Sequence, residues 1–292
     1  MVQQNGVVDT PLVLGMMRLA EQKQLREPAV LADWIEKRLE QGLHWFDHAD
    51  IYGDGRCESL FGAALAARPE LRSQVRLIGK ADIVKPQAEP AGRRVSRYDT
   101  SEAHLTAAVD GSLERLGVER LDLFLVHRPD PLMDPEATAR TLERLIHSGK
   151  VAQIGVSNFL PEQWRLLQQA LGARLCCNQF ELSLRASQPL FNGTSEAMQR
   201  DGLQVLAWSP LAGGRLEEEQ LGILLNEIAA DVGCGAVGLA MSWLRRIPGQ
   251  PVPVLGSLNE DRVADALAGA RLEMSREDWF ALLEAARGHR VP

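Results

Sequence analysis

The stretch LHWFDHADIYGDGRCE, residues 43 to 58, decides how the rest of the chain is interpreted. It opens with the apolar residues Leu43, Trp45 and Phe46, which suit a buried strand. It then changes abruptly to polar and glycine-rich sequence. Enzymes with alternating strands and helices present their chemistry in this way, at the carboxyl end of a buried strand. A strand followed by a solvated turn is the alternative, and later strand ends that carry a lysine and a histidine favour an enzyme.

The composition is that of an ordinary globular protein of 292 residues, with 45% hydrophobic and 24% charged residues. A formal net charge of −7 and the lack of a basic run argue against nucleic acid as a partner. The four cysteines show no CxxC spacing. No apolar run approaches the ~20 residues of a membrane span, and the N-terminal sequence does not resemble a signal peptide. We therefore expect a cytoplasmic protein that binds no membrane.

Outward from the opening stretch, short apolar runs alternate with segments of helical period. The predicted strands cover residues 11–17, 43–46, 75–79, 121–126, 151–156, 175–180, 203–208 and 253–255. The predicted helices cover residues 27–41, 57–67, 101–116, 135–148, 161–171, 222–246 (in two pieces around Gly233), 259–270 and 276–288. A long irregular segment, 81–100, lies between the third strand and the next helix.

Strict alternation of strand and helix implies a parallel sheet with right-handed crossovers. Eight such units predict an α/β fold, a single (β/α)8 TIM barrel, followed by an extra C-terminal helix. No linker or change of composition divides the chain. Residues 1–292 are therefore predicted to form one domain.

One motif invites a different interpretation. Residues 233–238 read GCGAVG and match the GxGxxG fingerprint of dinucleotide-binding proteins. That fingerprint needs a strand before it, whereas here it follows the helical run NEIAADV. We interpret it as a break between two helices.

Polar side chains at the predicted strand ends can share one cavity in such a barrel: Asp47, Tyr52, Lys80 and His127. A free tyrosine has a pKa of about 10, and the ammonium of Lys80 is expected to lower it. Asp47 would pair with Lys80, and His127 would hold a carbonyl oxygen near the Tyr52 hydroxyl. A tyrosine tuned in this way can protonate a developing alkoxide. The set lacks a source of hydride, so a nicotinamide cofactor is implied and no metal.

From about residue 12 to its end, the chain resembles the aldo-keto reductase family. The matching pieces are FDHADIYG (46–53), GK (79–80), LDLFLVHRPD (121–130), GKVAQIGVSNF (149–159), NQFE (178–181), AWSPLAGGRL (207–216) and PVLGSLNEDRV (253–263). Their order and spacing together make the match specific. The chain is most similar to a bacterial branch with an HRPDPLMD loop after the catalytic histidine strand.

The resemblance implies a role for each of several residues. The catalytic set would be Asp47, Tyr52 as proton donor, Lys80 and His127. The cofactor NADP would be bound by Ser157, Asn158 and Gln179 at the carboxamide, Trp208 stacked on the nicotinamide, Ser209, Leu211 and Gly213 over the pyrophosphate, and Ser257 and Arg262 at the 2′-phosphate.

Departures from the family pattern bear on specificity. The lysine often found near the 2′-phosphate is absent, because Gly256, Leu258 and Asn259 stand there. Met16 and Met17 replace an aromatic residue that lines the pocket in many members. The first departure weakens the preference for NADPH, and the second leaves the substrate open.

The expected activity is NADPH-dependent reduction of an aldehyde or ketone carbonyl on a small molecule. A cofactor-binding regulatory subunit with slow turnover is the alternative. A metal-dependent barrel hydrolase is poorly supported, because the six histidines show no HxH or HExxH pairing. The oligomeric state stays open, with a monomer as the working expectation.

Overall fold

A computed structural model describes residues 7–86, 95–217 and 219–290 as alternating strands and helices. The strands are β1 (Val13–Gly15), β2 (Trp45–Asp47), β3 (Arg76–Ala81), β4 (Ile83–Val84), β5 (Arg97–Tyr98), β6 (Leu123–Val126), β7 (Ile154–Ser157), β8 (Leu175–Glu181), β9 (Gln204–Trp208) and β10 (Val252–Leu255). The helices are α1 (Pro28–Glu40), α2 (Arg56–Ala67), α3 (Glu102–Leu116), α4 (Pro135–His147), α5 (Pro161–Ala170), α6 (Thr194–Asp201), α7 (Glu219–Asp231), α8 (Ala236–Arg245), α9 (Glu260–Gly269) and α10 (Arg276–Arg287).

Eight of the described strands form a closed barrel in the order β1-β10-β9-β8-β7-β6-β3-β2. Neighbours pair in parallel, as β3 does with β6, where Lys80 lies opposite Leu125. The strands are apolar and buried because helices cover the outside of such a sheet. The predicted (β/α)8 fold is confirmed. The predicted extra helix is α10, which follows α9 along the chain.

The chain divides into two compact parts. The first part, residues 16–178, holds β2, β3, β6 and β7. The second part holds β1, β9 and β10, and comprises the segment up to Gly15 and the segment from Gln179 onward. A single domain over residues 1–292 stays a prediction.

The structure differs from the expected elements in local ways. The segment predicted as irregular contains a small antiparallel sheet, in which Ile83 pairs with Tyr98; its residues 87–94 lie outside the described part. Helix α6 was not predicted. Its sequence TSEAMQRD buries only Ala197, Met198 and the short Thr194, so it carries almost no apolar period.

The GCGAVG segment contains the break between α7 and α8, as predicted, and its last three residues begin α8. The Asp265 carboxylate on α9 accepts the N–H of Gly235 at 2.8 Å and that of Gly238 at 2.9 Å. A Cβ at these two glycines would lie 2.3 and 2.6 Å from that carboxylate. Because these two residues are glycines, the Asp265 carboxylate can approach the N-terminus of α8. It occupies the position where a helix N-terminus binds phosphate in dinucleotide-binding proteins.

No single described helix has the length and apolar composition of a membrane span. The segments Gln220–Asp231 and Ala236–Arg245 reach that length and composition only when taken together. They are bent by 89° at the break between them.

Candidate active site

A buried ion pair joins Lys80 on β3 to Asp47 on β2. The Lys80 Nζ donates to Asp47 Oδ1 at 2.5 Å and to the His48 carbonyl at 2.8 Å. Burial lowers the pKa of Lys80, and the negative charge of Asp47 opposes that shift. Burial disfavours the ammonium form, and Asp47 is the largest of the groups that favour it.

Tyr52 stands in the turn after β2 with the Lys80 ammonium over its ring. The Lys80 Nζ lies 5.0 Å from the ring centroid, and the His127 ring lies 6.3 Å away at 81°. Burial raises the pKa of Tyr52 well above its usual value, and the charge of Asp47 raises it further. The predicted lowering of this pKa is therefore wrong in direction, because burial is the largest cause of the shift. Tyr52 is a neutral phenol at pH 7 and can donate a proton.

His127 follows β6 and is 7% exposed. The backbone N–H of His127 donates to the Ala81 carbonyl at 3.0 Å, and the backbone carbonyl of His127 accepts from Asn158 Nδ2 at 3.2 Å. Burial lowers the pKa of His127 well below its usual value, and the charges of Lys80 and Arg128 add to the shift. The ring is therefore a neutral imidazole with one N–H donor, suited to holding a carbonyl oxygen.

A buried aspartate and a half-buried one follow β3 and β2. Asp82 follows β3 with a φ of 129° and is fully buried, and its carboxylate accepts the Arg128 N–H at 2.9 Å. Burial raises the pKa of Asp82 to about 8. The N–H of Asp50 donates to the Lys80 carbonyl at 3.1 Å, and burial and the Glu58 charge raise the pKa of Asp50 to about 6. Asp82 was not predicted, although a polar residue directly after a buried strand was a signal for it.

Ser157 and Asn158, expected at the nicotinamide carboxamide, lie at the carboxyl end of β7. Ser157 is buried, and Asn158 has a left-handed φ of 63°. Asn158 Nδ2 donates to Ser157 Oγ at 2.8 Å and to the carbonyl of His127. The structure thus brings these two residues next to His127 and fixes the amide orientation.

Gln179 and Trp208 belong to the second compact part. Gln179 is buried within β8, and Trp208 is the last residue of β9 and is half-buried. The Leu182 N–H donates to the Trp208 carbonyl at 3.3 Å, which fixes the end of β9. Trp208 therefore stands at the carboxyl end of its strand, whereas β8 continues to Glu181, two residues beyond Gln179.

The loop after β9, predicted to cover the pyrophosphate, has an unusual backbone. Left-handed φ values occur at Ser209 (53°), Ala212 (50°), Gly213 (71°) and Gly214 (95°). The carbonyl of Leu211 accepts the N–H of Gly214 at 2.9 Å. The N–H of Ala212 donates to the Ser209 carbonyl at 2.8 Å in the same way, so the loop consists of successive tight turns.

Ser257 and Arg262 flank the N-terminus of α9. Asn259 caps this helix, and its Oδ1 accepts the Arg262 N–H at 3.0 Å. Ser257 Oγ accepts the N–H of Asn259 at 3.4 Å. The Arg262 side chain is exposed and makes no hydrogen bond or ion pair with the described residues. An exposed guanidinium thus lies beside the capped N-terminus of α9.

Comparison with known proteins gives this arrangement a context. Residues 11–287 match a family model described as the aldo/keto reductase family. The chain belongs to the aldo/keto reductase family. The predicted resemblance is confirmed, and this aldo/keto reductase is an NAD(P)H-dependent oxidoreductase.

Relatives of this aldo/keto reductase cover nearly its whole length. The 6-dehydroglucose reductase of Agrobacterium fabrum is 40% identical over 283 residues, 96% of this chain and 95% of that protein. The oxidoreductase YdhF of Escherichia coli is 37% identical over 285 residues, 96% of this chain and 94% of that protein. A crystal structure of an aldo/keto reductase from Klebsiella pneumoniae in complex with NADP and acetate is 25% identical, with a TM-score of 0.76. It covers 97% of this chain and 92% of that one.

Proposed function

We propose that this aldo/keto reductase uses NADPH to reduce an aldehyde or ketone carbonyl to an alcohol, with Tyr52 as the proton donor. The observation that carries the proposal is the buried pair of Lys80 and Asp47 set against a neutral Tyr52 and a neutral His127. General acid catalysis needs a group that holds its proton until charge develops on the acceptor. The raised pKa of Tyr52 meets that need.

Each of these side chains has a separate task in the proposed reaction. Bound NADPH would supply a hydride to the carbonyl carbon. The N–H of the neutral His127 ring holds the carbonyl oxygen. As negative charge develops on that oxygen, the Tyr52 hydroxyl gives it a proton. Lys80, held in place by Asp47, then stabilises the phenolate that remains.

For the cofactor, we propose that separate groups of residues bind the parts of a dinucleotide phosphate. Ser157 and Asn158 offer fixed hydroxyl and amide groups that match the paired donor and acceptor of a carboxamide. The left-handed backbone after β9 suits the pyrophosphate. At α9, Arg262 and the helix N-terminus suit the 2′-phosphate that distinguishes NADPH from NADH.

For the substrate, we propose an aldehyde on a polyhydroxylated carbon chain, with 6-dehydroglucose as the first compound to test. The support is the identity of 40% to a 6-dehydroglucose reductase along nearly the whole chain. A sugar aldehyde is a small-molecule carbonyl, the class that the resemblance implies.

The test measures NADPH consumption with 6-dehydroglucose, simple aldehydes and ketones, in wild type and Tyr52→Phe. General acid catalysis contributes roughly 10²–10⁴-fold, so kcat should fall by that factor while NADPH affinity stays unchanged. Tyr98→Phe is the matched control, because Tyr98 is the other tyrosine of the chain and is 40% exposed. A Tyr52→Phe protein with more than about a tenth of wild-type turnover would contradict the proposed role.

The regulatory subunit stays the alternative. It predicts that the wild-type protein binds NADPH tightly but reduces none of these carbonyls at more than a trace rate. The Tyr52→Phe variant would then be no slower than wild type. No cluster of three metal-ligating side chains occurs in the described ranges. The cytoplasmic location and the monomeric state stay predictions.

A further inference from the structure

A cavity of about 560 Å³ lies wholly within the second compact part. Its lining includes Glu181, Arg185, Ser187, Gln188, Phe191 and Arg287. The volume lies within the range of small-molecule sites. None of these residues has a role in the proposed reduction.

Arg287, the last residue of α10, provides the most distinctive group in this cavity. Its guanidinium carbon lies 4.6 Å from the centroid of the Phe191 ring. The Nη1 atom is buried and has no hydrogen-bond partner among the described residues. The rest of the Arg287 side chain is half-buried and lines the cavity, so its guanidinium can reach an acceptor bound there.

A second guanidinium belongs to the same cavity wall. Arg185 Nε donates to the carbonyl of Arg215 at 2.7 Å, which fixes the plane of the Arg185 fork. The wall therefore carries two positive charges and the single negative charge of Glu181. This excess of positive charge favours an anion in a protein whose net charge is −7.

We propose that this cavity binds a phosphorylated sugar, with its phosphate on Arg287 and Arg185. Guanidinium groups bind phosphate oxygens in pairs, which gives both affinity and orientation. Glu181 accepts hydrogen bonds from hydroxyl groups, and Gln188 can both donate and accept them. Phe191 is 52% exposed and offers an apolar face to the C–H groups of a sugar ring.

Isothermal titration of the full-length, NADPH-loaded protein with glucose 6-phosphate, glucose and inorganic phosphate tests this proposal. We expect one equivalent of glucose 6-phosphate to bind at least tenfold tighter than either of the other probes. Arg287→Gln should weaken that binding about ten- to hundred-fold, the value of one charged hydrogen bond. Arg276→Gln is the matched control, because Arg276 lies on the same helix, 5.7 Å from the Phe280 ring, and outside the cavity. It should bind like wild type.

Several results would overturn the proposal: no binding of glucose 6-phosphate, equal affinity for inorganic phosphate, or no effect of Arg287→Gln. Binding that occurs only without NADPH would place the phosphate in the cofactor site and would equally refute it. Phe191→Ala tests the same cavity if Arg287→Gln does not fold, and it should weaken binding of the sugar phosphate more than that of inorganic phosphate. None of these measurements needs turnover, so their failure is distinguishable from failure of the proposed reduction.

Discussion

Replacing Asp82 with asparagine should change how the stability of the protein depends on pH. Burial raises the pKa of Asp82 to about 8 in the folded chain, whereas an unfolded aspartate titrates near about 3.9. Between these values the folded state keeps a proton that the unfolded state has released. The contribution of Asp82 to stability is therefore fully present below about pH 4 and is lost as the pH rises toward about 8.

The size of this effect follows from the two pKa values. Each pH unit inside that window lowers the Asp82 contribution by about 1.4 kcal/mol, so the fall from pH 5 to pH 7 is about 3 kcal/mol. The amide of Asp82→Asn does not titrate and keeps an oxygen for the Arg128 N–H, which the carboxylate accepts at 2.9 Å. The variant should thus gain about 3 kcal/mol relative to wild type over this interval.

Urea unfolding followed by tryptophan fluorescence at pH 5, 6 and 7 measures that difference. Asp231→Asn is the control, because Asp231 is exposed at the end of α7 and its replacement should produce no such trend. A difference between Asp82→Asn and wild type that stays constant from pH 5 to 7 would show that Asp82 is ionised when folded. That outcome would refute the reasoning.

Other predictions concern the site and the C-terminal helix. Lys80→Met should lower kcat more than Asp47→Asn, because Lys80 acts on the proton donor and Asp47 acts through Lys80; the reverse order in folded proteins would exchange their roles. Arg262→Ala should weaken NADPH about ten- to hundred-fold and leave NADH unchanged, as one charged hydrogen bond is lost. Fluorescence titration with both cofactors measures this. An unchanged ratio of NADPH to NADH affinity would show that Arg262 does not bind the 2′-phosphate. Trp279→Phe removes an indole N–H that donates to the Trp243 carbonyl at 3.0 Å. It should lower the free energy of unfolding by about 1–2 kcal/mol in urea titrations, and no change would contradict that bond's contribution.

The sequence by itself determined the barrel and the strand ends that carry polar groups. Apolar runs and helical periods are local properties, and alternating units close in one way because crossovers are right-handed. Asp47, Lys80 and His127 can therefore be assigned to strand ends from their place in the pattern, although their roles stay predictions. The sequence does not predict the short helix α6 or the pairing of Ile83 with Tyr98, because neither has a periodic apolar signal.

Only the tertiary structure decided the electrostatics. The pKa of Tyr52 rises, against expectation, because the side chain is buried and lies near Asp47, and burial cannot be read from sequence spacing. The pKa of Asp82 rises because other segments close over its side chain. Arg287 meets Phe191 although the two are far apart in the chain. The pKa of an ionisable group depends on every charged or polar group within a few ångströms, and only the folded structure determines which groups those are.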